Sequence, residues 1–421
     1  MSEADVAIIG AGAAGLAAAR ALARSGFSVE VFEARERVGG RVFPVSGADL
    51  GAEFIHGPAR ETRALLAEIG SAAIERTGES WFWSDGGLQL DEAEFGGHGS
   101  LFEGVHRLER DESVADYLQR LRDRGVREDE LRGVREFVEG FDAADTTRAS
   151  VFGIANELLS GVDDQSARPP GGYGPLFEHL QAACVAAGVK IQLASPVSRI
   201  SWKRSGVRVG GSRARAVIVT LPIGVLRTGD VRFDPPLPSE KTRAIEALVM
   251  GPVVKVVLRF RSPFWRELHD GRYRNAGFFR VPGEPFRVFW TQYPMEDNTL
   301  NAWIGGPGAE ALRACSYDNV VRSARAQCGV LFGDSGVVER EFVEAVLHDW
   351  DGDPFSRGAY SYLLVGGGDA RAALAQPVED TLFFAGEATI GDGQNGTVNG
   401  AIVSGQRAAR EVAAALGAKH S

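Results

Sequence analysis

The chain opens on an apolar run of strand length, Val6-Ala7-Ile8-Ile9, followed by Gly10-Ala11-Gly12-Ala13-Ala14-Gly15 and an alanine-rich stretch over residues 16–24 that favours helix. A second strand, expected over residues 28–32, ends at Glu33. Strand, glycine turn, helix, strand and acid in that order predict a dinucleotide-binding βαβ unit. The three glycines have separate duties: Gly10 permits the tight turn, Gly12 lets a pyrophosphate approach backbone N–H groups at the helix N-terminus, and Gly15 allows helix to pack closely on strand. Glu33 stands where a carboxylate accepts hydrogen bonds from ribose hydroxyls.

Farther along, residues 59–69, 113–124, 128–139 and 150–159 carry the apolar periodicity of amphipathic helices. Residues 168–174, Arg-Pro-Pro-Gly-Gly-Tyr-Gly, read as a linker, and a helix is expected over 175–187. Short runs rich in β-branched residues at 189–193, 196–202, 207–209 and 216–221 predict strands. The valine-rich run 250–260 is interrupted by Lys255. An ammonium there lies either on an edge strand, facing water, or inside, where it must be paired, hydrated or chemically engaged. Residues 280–290 and 300–305 add sheet, 309–332 reads as one long helix, and 381–401 again gives strand, glycine loop and helix N-terminus.

Length changes the picture, because 421 residues exceed what a single core usually serves and two domains are expected. A net charge of -10 disfavours non-specific attraction to nucleic acid or to anionic membrane surfaces. Cys184, Cys315 and Cys328 cannot all pair and show no metal-ligand spacing, so neither a disulfide framework nor a metal site is expected. No apolar run reaches membrane-spanning length, and the first strand begins too near Met1 for a secretory leader. A cytoplasmic protein is expected.

Other candidates are weaker. Trp81, Phe82 and Trp83 read as core before cavity wall. His98 and His106, near Glu103, lack the spacing of a helical metal site and read as solvated loop residues. Gly333-Asp334-Ser335-Gly336 imitates the nucleophile turn of chymotrypsin-like proteases but lacks their second glycine and all-β context, so it reads as a turn closing a helix.

Directly after Glu33, the stretch Ala34-Arg35-Glu36-Arg37-Val38-Gly39-Gly40-Arg41 supplies a second glycine pair beside arginines. With residues 49–57 (Asp-Leu-Gly-Ala-Glu-Phe-Ile-His-Gly), 250–265, 348–362 and 381–401, it resembles the flavin-containing amine oxidase superfamily, and within it the branch of polyamine oxidases and histone lysine demethylases. The resemblance implies an α/β fold: a Rossmann-like FAD-binding domain of the glutathione-reductase-like GR2 type over 1–75, 172–245 and 352–421, with an inserted α+β substrate domain over 76–171 and 246–351. It implies cofactor contacts at Gly10, Gly12, Gly15, Glu33, Arg35, Gly40, Arg41, Glu53, Phe54, Val197, Glu387, Thr397 and Val398. It places Lys255 at flavin N5 through a water, Tyr360 on one side of an aromatic cage whose other side is Thr397, and His56 at the substrate channel. Ala359 occupies the position of the cysteine that binds flavin covalently in monoamine oxidases, so noncovalent FAD is expected.

The implied reaction is oxidation of a polyamine or related small-molecule amine to an imine, with O2 reduced to H2O2. A desaturase or redox-neutral mutase on the same fold, and a flavin-containing binding module, are the alternatives. The oligomeric state is not legible in the sequence.

Overall fold

The computed structural model describes residues 3–84, 86–91, 99–162, 165–281, 283 and 285–417. Two large sheets organise it. The first runs in the order Lys190–Gln192, Val29–Phe32, Glu3–Ile9, Ser212–Val219, Gly206–Val209, Arg199–Lys203, Arg232–Asp234, with Leu382–Phe384 also paired to Ser212–Val219. Its centre is parallel: Val6, Ala7, Ile8 and Ile9 pair with Val29, Glu30, Val31 and Phe32 on one side and with Ala216 to Val219 on the other. Such a sheet is covered on both faces, which is why residues 6–9 and 216–219 are continuous apolar runs, although Glu30 interrupts Val29–Phe32. One face is covered by helices Ala13–Arg24, Gly174–Ala186 and Val398–Leu416.

Glycine decides two of these packings. A Cβ on Gly15 would lie 1.9 Å from the Gly10 carbonyl oxygen, and one on Gly405 would lie 2.1 Å from that of Ala14. Without these glycines neither the first turn nor the last helix could seat against helix Ala13–Arg24.

The second sheet runs Phe342–Leu347, Val253–Phe260, Thr299–Gly305, Val288–Trp290, Ala276–Arg280, Glu79–Ser84, Gly87–Leu90. Its core is aromatic, with Phe260, Phe279, Phe286 and Phe289 fully buried. Strand Glu79–Ser84 divides the aromatic triplet: Trp81 packs in the core against Tyr273, whereas Phe82 and Trp83 line the cavity described below. Helices Val114–Asp123, Glu128–Gly140 and Val151–Leu159 form a third packed unit, the first and last capped by Ser113 and Ser150.

Three expectations need correction. The helix expected over 309–332 is two helices, Gly306–Leu312 and Tyr317–Phe332, because Ser316 caps the second by accepting from the Asn319 N–H. The run 250–260 is split at Pro252: Leu248–Gly251 pairs with Tyr360–Leu363, and only Val253–Phe260 enters the large sheet. The linker reading of 168–174 fails at its first residue. Arg168 ends strand Ser166–Arg168, which pairs with Ile55–His56 and Ile74–Glu75, and it is buried. The turn at 333–336 does close a helix, with Gly333 in the left-handed conformation and Asp334 capping the next helix. His106 lies exposed on a short helical turn, and His98 lies outside the described residues.

Candidate functional site

One cavity of about 1280 Å3 runs between the two sheets. That exceeds the roughly 300–1,000 Å3 of a typical ligand pocket, so it has room for a dinucleotide and a second molecule. Its walls include the first glycine turn, residues 49–57, strand Val253–Phe260 and the start of helix Val398–Leu416.

At the nucleotide end, Gly10 has φ +102° and a Cβ there would meet the Thr220 hydroxyl at 2.5 Å, so only glycine makes this turn. A Cβ on Gly12 would find nothing nearer than 3.9 Å, because its face opens on the cavity. Gly40, with φ +60°, lies against Gly12 and lines the cavity beside it. Glu33 is buried and accepts from the backbone N–H groups of Ala11 at 2.7 Å and Arg35 at 2.9 Å. Each carboxylate oxygen carries more than one lone pair, so hydrogen-bonding capacity remains for ribose hydroxyls. Val197 lines the same end.

Of the three arginines of the second motif, Arg37 donates to the backbone carbonyls of Val38, Gly40 and Val42, and the other two differ in what they face. Arg35 lines the cavity, but its guanidinium is held by Asp353 and Ser356, each at 2.8 Å. Arg41 donates to the Ala359 carbonyl at 2.7 Å and to the Glu387 carboxylate at 2.9 Å. Glu387 is buried and also accepts from the Ser361 hydroxyl at 2.7 Å and the Gly396 N–H at 3.2 Å. Burial pushes its pKa up, but Arg41 and Arg371 outweigh that and hold it below the usual carboxylate value. Thr397 caps the last helix by accepting from the Gly400 N–H at 2.9 Å, and Thr397 and Val398 line the cavity at the positive end of that helix.

These residues fit FAD. The first turn is a cradle that any Cβ would fill, the buried carboxylate of Glu33 keeps acceptor capacity that suits ribose hydroxyls, and a second helix N-terminus faces the same space.

The substrate end is charged at one wall and aromatic elsewhere. Strand Val253–Phe260 has neighbours on both sides, so Lys255 is not on an edge, and it is 3% exposed. Its ammonium donates to the Glu53 carboxylate and, at 2.5 Å, to the Asp49 carbonyl. Glu53 also accepts from Arg168 at 3.1 Å, Trp290 at 2.9 Å and Gln292 at 2.9 Å. Burial would raise the Glu53 pKa, but Lys255 and then Arg168 outweigh it and hold it at about 2. Asp49 behaves oppositely: burial pushes it up to about 6 despite Lys255.

The aromatic walls are Phe54, Phe278, Trp290 and Trp303 on one side and Phe137 and Phe141 on the other. Phe54 and Trp290 have ring centroids 5.7 Å apart, and His56 meets Phe141 edge-on at 5.7 Å. Tyr360 donates its hydroxyl to the Phe141 carbonyl and packs over Gly396. The structure thus brings Lys255, Glu53, Phe54, His56 and Tyr360 to one cavity. Sequence reasoning missed Arg168, Trp290 and Gln292. Nothing in their local sequence marks them, since each matters only through Glu53.

The model of the family described as "Flavin containing amine oxidoreductase" matches residues 13–413. Human lysine-specific histone demethylase 2 is 30% identical over 97% of this chain, and the chain spans 53% of that protein's length. Polyamine oxidase 4 of Oryza sativa subsp. japonica is 29% identical, with 97% of this chain and 88% of that protein covered. Among solved structures, a putrescine oxidase bound to putrescine superposes with a TM-score of 0.82 at 25% identity, covering 98% of this chain and 99% of that one. The cyclohexylamine oxidase of Brevibacterium oxydans IH-35A has the same fold, with a TM-score of 0.81 at 23% identity over 99% of this chain and 100% of that one.

Proposed function

This chain belongs to the flavin containing amine oxidoreductases, and we propose that within that family it oxidises a carbon–nitrogen bond of a polyamine or related small-molecule amine, with O2 as the electron acceptor. The observation that carries the reading is the continuous cavity, in which the glycine cradle for FAD opens directly into an aromatic chamber containing a buried ammonium. The similarity to a polyamine oxidase and to a putrescine oxidase fold supports the substrate class.

FAD, when bound, would supply the acceptor for a hydride from the carbon beside a neutral amine and the route from there to O2. Glu33 would hold the ribose, and the backbone of Gly12 would let the pyrophosphate approach. Thr397 and Val398, at a helix N-terminus that lines the cavity, would favour the negative charge that collects on a flavin ring on reduction. Phe54 and Tyr360 wall the reacting carbon, His56 faces the amine, and the aromatic surfaces exclude water. The resulting imine takes up water on release and splits to a carbonyl compound and an amine. Noncovalent attachment is consistent with Ala359, whose side chain has no nucleophile to bond the flavin. The three cysteines are free, which suits a reducing compartment such as the cytoplasm. No helix among the described residues is long and apolar enough to cross a membrane.

The test is an oxidase assay on purified FAD-loaded protein with diamines, polyamines and monoamines, following H2O2. Stoichiometric peroxide with at least one amine is expected. Flavin that no amine in the panel reduces would remove the amine-oxidase reading and favour a desaturase or a mutase.

A further inference from the structure

The resemblance to amine oxidases implies a lysine near the flavin, but it says nothing of a carboxylate side chain that holds that lysine. Glu53 sits on the segment that crosses the cavity, 6% exposed, with four donors on its two oxygens. Two of them, Lys255 and Arg168, are cations, and Lys255 and Arg168 are 3% and 4% exposed. An ammonium on a four-carbon stem has free choice of rotamer until something fixes it. Here the Glu53 carboxylate and the Asp49 carbonyl take two of its three N–H donors, which leaves one for a group in the cavity. The face of Trp290, 5.4 Å away, closes another side.

We infer that Glu53 is a positioning residue that fixes the Lys255 ammonium and, by compensating its charge, sets the reduction potential of the bound flavin. This rests on the reading that the flavin ring lies in the cavity beside Lys255. A buried unit charge is poorly screened and acts across several ångströms with more than the free energy that a tenfold equilibrium change requires. With Glu53 ionised, the Lys255–Glu53 pair presents a dipole to the ring. With Glu53 neutral, Lys255 and Arg168 present two uncompensated positive charges, which favour the reduced, more negative flavin.

The experiment is the reduction potential of FAD-loaded protein, measured by dye-equilibrated photoreduction with no amine present. Glu53→Gln, which keeps shape and removes charge, is expected to shift the reduction equilibrium at least tenfold toward reduced flavin, about 30 mV more positive for a two-electron couple. A potential within about threefold of wild type on that scale, about 15 mV, overturns the inference. Should Glu53→Gln fail to fold or to hold FAD, Lys255→Met tests the pair from its other end, because Glu53 keeps Arg168, Trp290 and Gln292. That variant is expected to shift the equilibrium at least tenfold toward oxidised flavin, and no shift overturns the inference. Because no amine is used, failure of the amine-oxidase reading shows separately, as missing peroxide in the assay above.

Discussion

At the residue scale, the feature with most consequence is the burial of Lys255 against Glu53. Read from sequence alone, Lys255→Met would keep the fold, since an unbranched apolar side chain suits a valine-rich strand. The structure changes that expectation, because the substitution removes one partner of a buried ion pair. Breaking such a pair costs about 3–5 kcal/mol, and the lower figure is expected here because Arg168 still faces Glu53. A denaturant titration showing a loss under about 1 kcal/mol, the size of an exposed pair, would mean that the ammonium is solvated. In the FAD-loaded variant, reoxidation by O2 is expected to slow by about two to three orders of magnitude, as when a preorganised electrostatic donor is removed. Stopped-flow reoxidation at the wild-type rate would take Lys255 out of the oxygen reaction.

At the element scale, two connecting segments that border the cavity each yield an expectation. The first, after strand Val29–Phe32, holds Glu33 and Arg41. Alanine at either position removes a charged partner, from the ribose side or from buried Glu387. A hydrogen bond to a charged group is worth about 1.5–3 kcal/mol, so FAD affinity is expected to fall by roughly one to two orders of magnitude. Wild-type flavin-to-protein absorbance ratios after dialysis would contradict the assignment. The junction ahead of strand Tyr360–Leu363 carries Ala359, whose side chain cannot form a thioether. Acid precipitation of the protein is therefore expected to leave yellow flavin in the supernatant, and flavin retained in the pellet would refute noncovalent attachment.

At the scale of the whole molecule, the polar cluster makes stability depend on pH in two opposed ways. The Glu53 value of about 2 lies below its ordinary 4.5, so between those values the unfolded chain binds more protons and stability rises with pH. Asp49 is raised from 3.8 to about 6, so between those values the folded chain binds more protons and stability falls as pH rises. Asp49→Asn removes only the second term. The stability of wild type relative to this variant is expected to decline from about pH 4 to pH 6 and to level off above. Parallel unfolding curves across that window would show that Asp49 is not desolvated.

The sequence by itself determined the nucleotide half. Its glycines, apolar runs and Glu33 act through local backbone geometry and through a parallel sheet whose central strands are mostly apolar, so contiguous residues carry the signal. Helix starts were legible for the same reason, at Ser113 and Ser150, although the helix start at Ser316 was missed inside a run that reads as one helix. Only the tertiary structure decided what surrounds Lys255. Glu53, Arg168, Lys255, Trp290 and Gln292 come from four separate segments, and a carboxylate is drawn to a cation by distance in space, which the order of residues does not record. The same holds for Arg168, whose proline- and glycine-rich context signals a turn after it but says nothing of the strand partners that bury it.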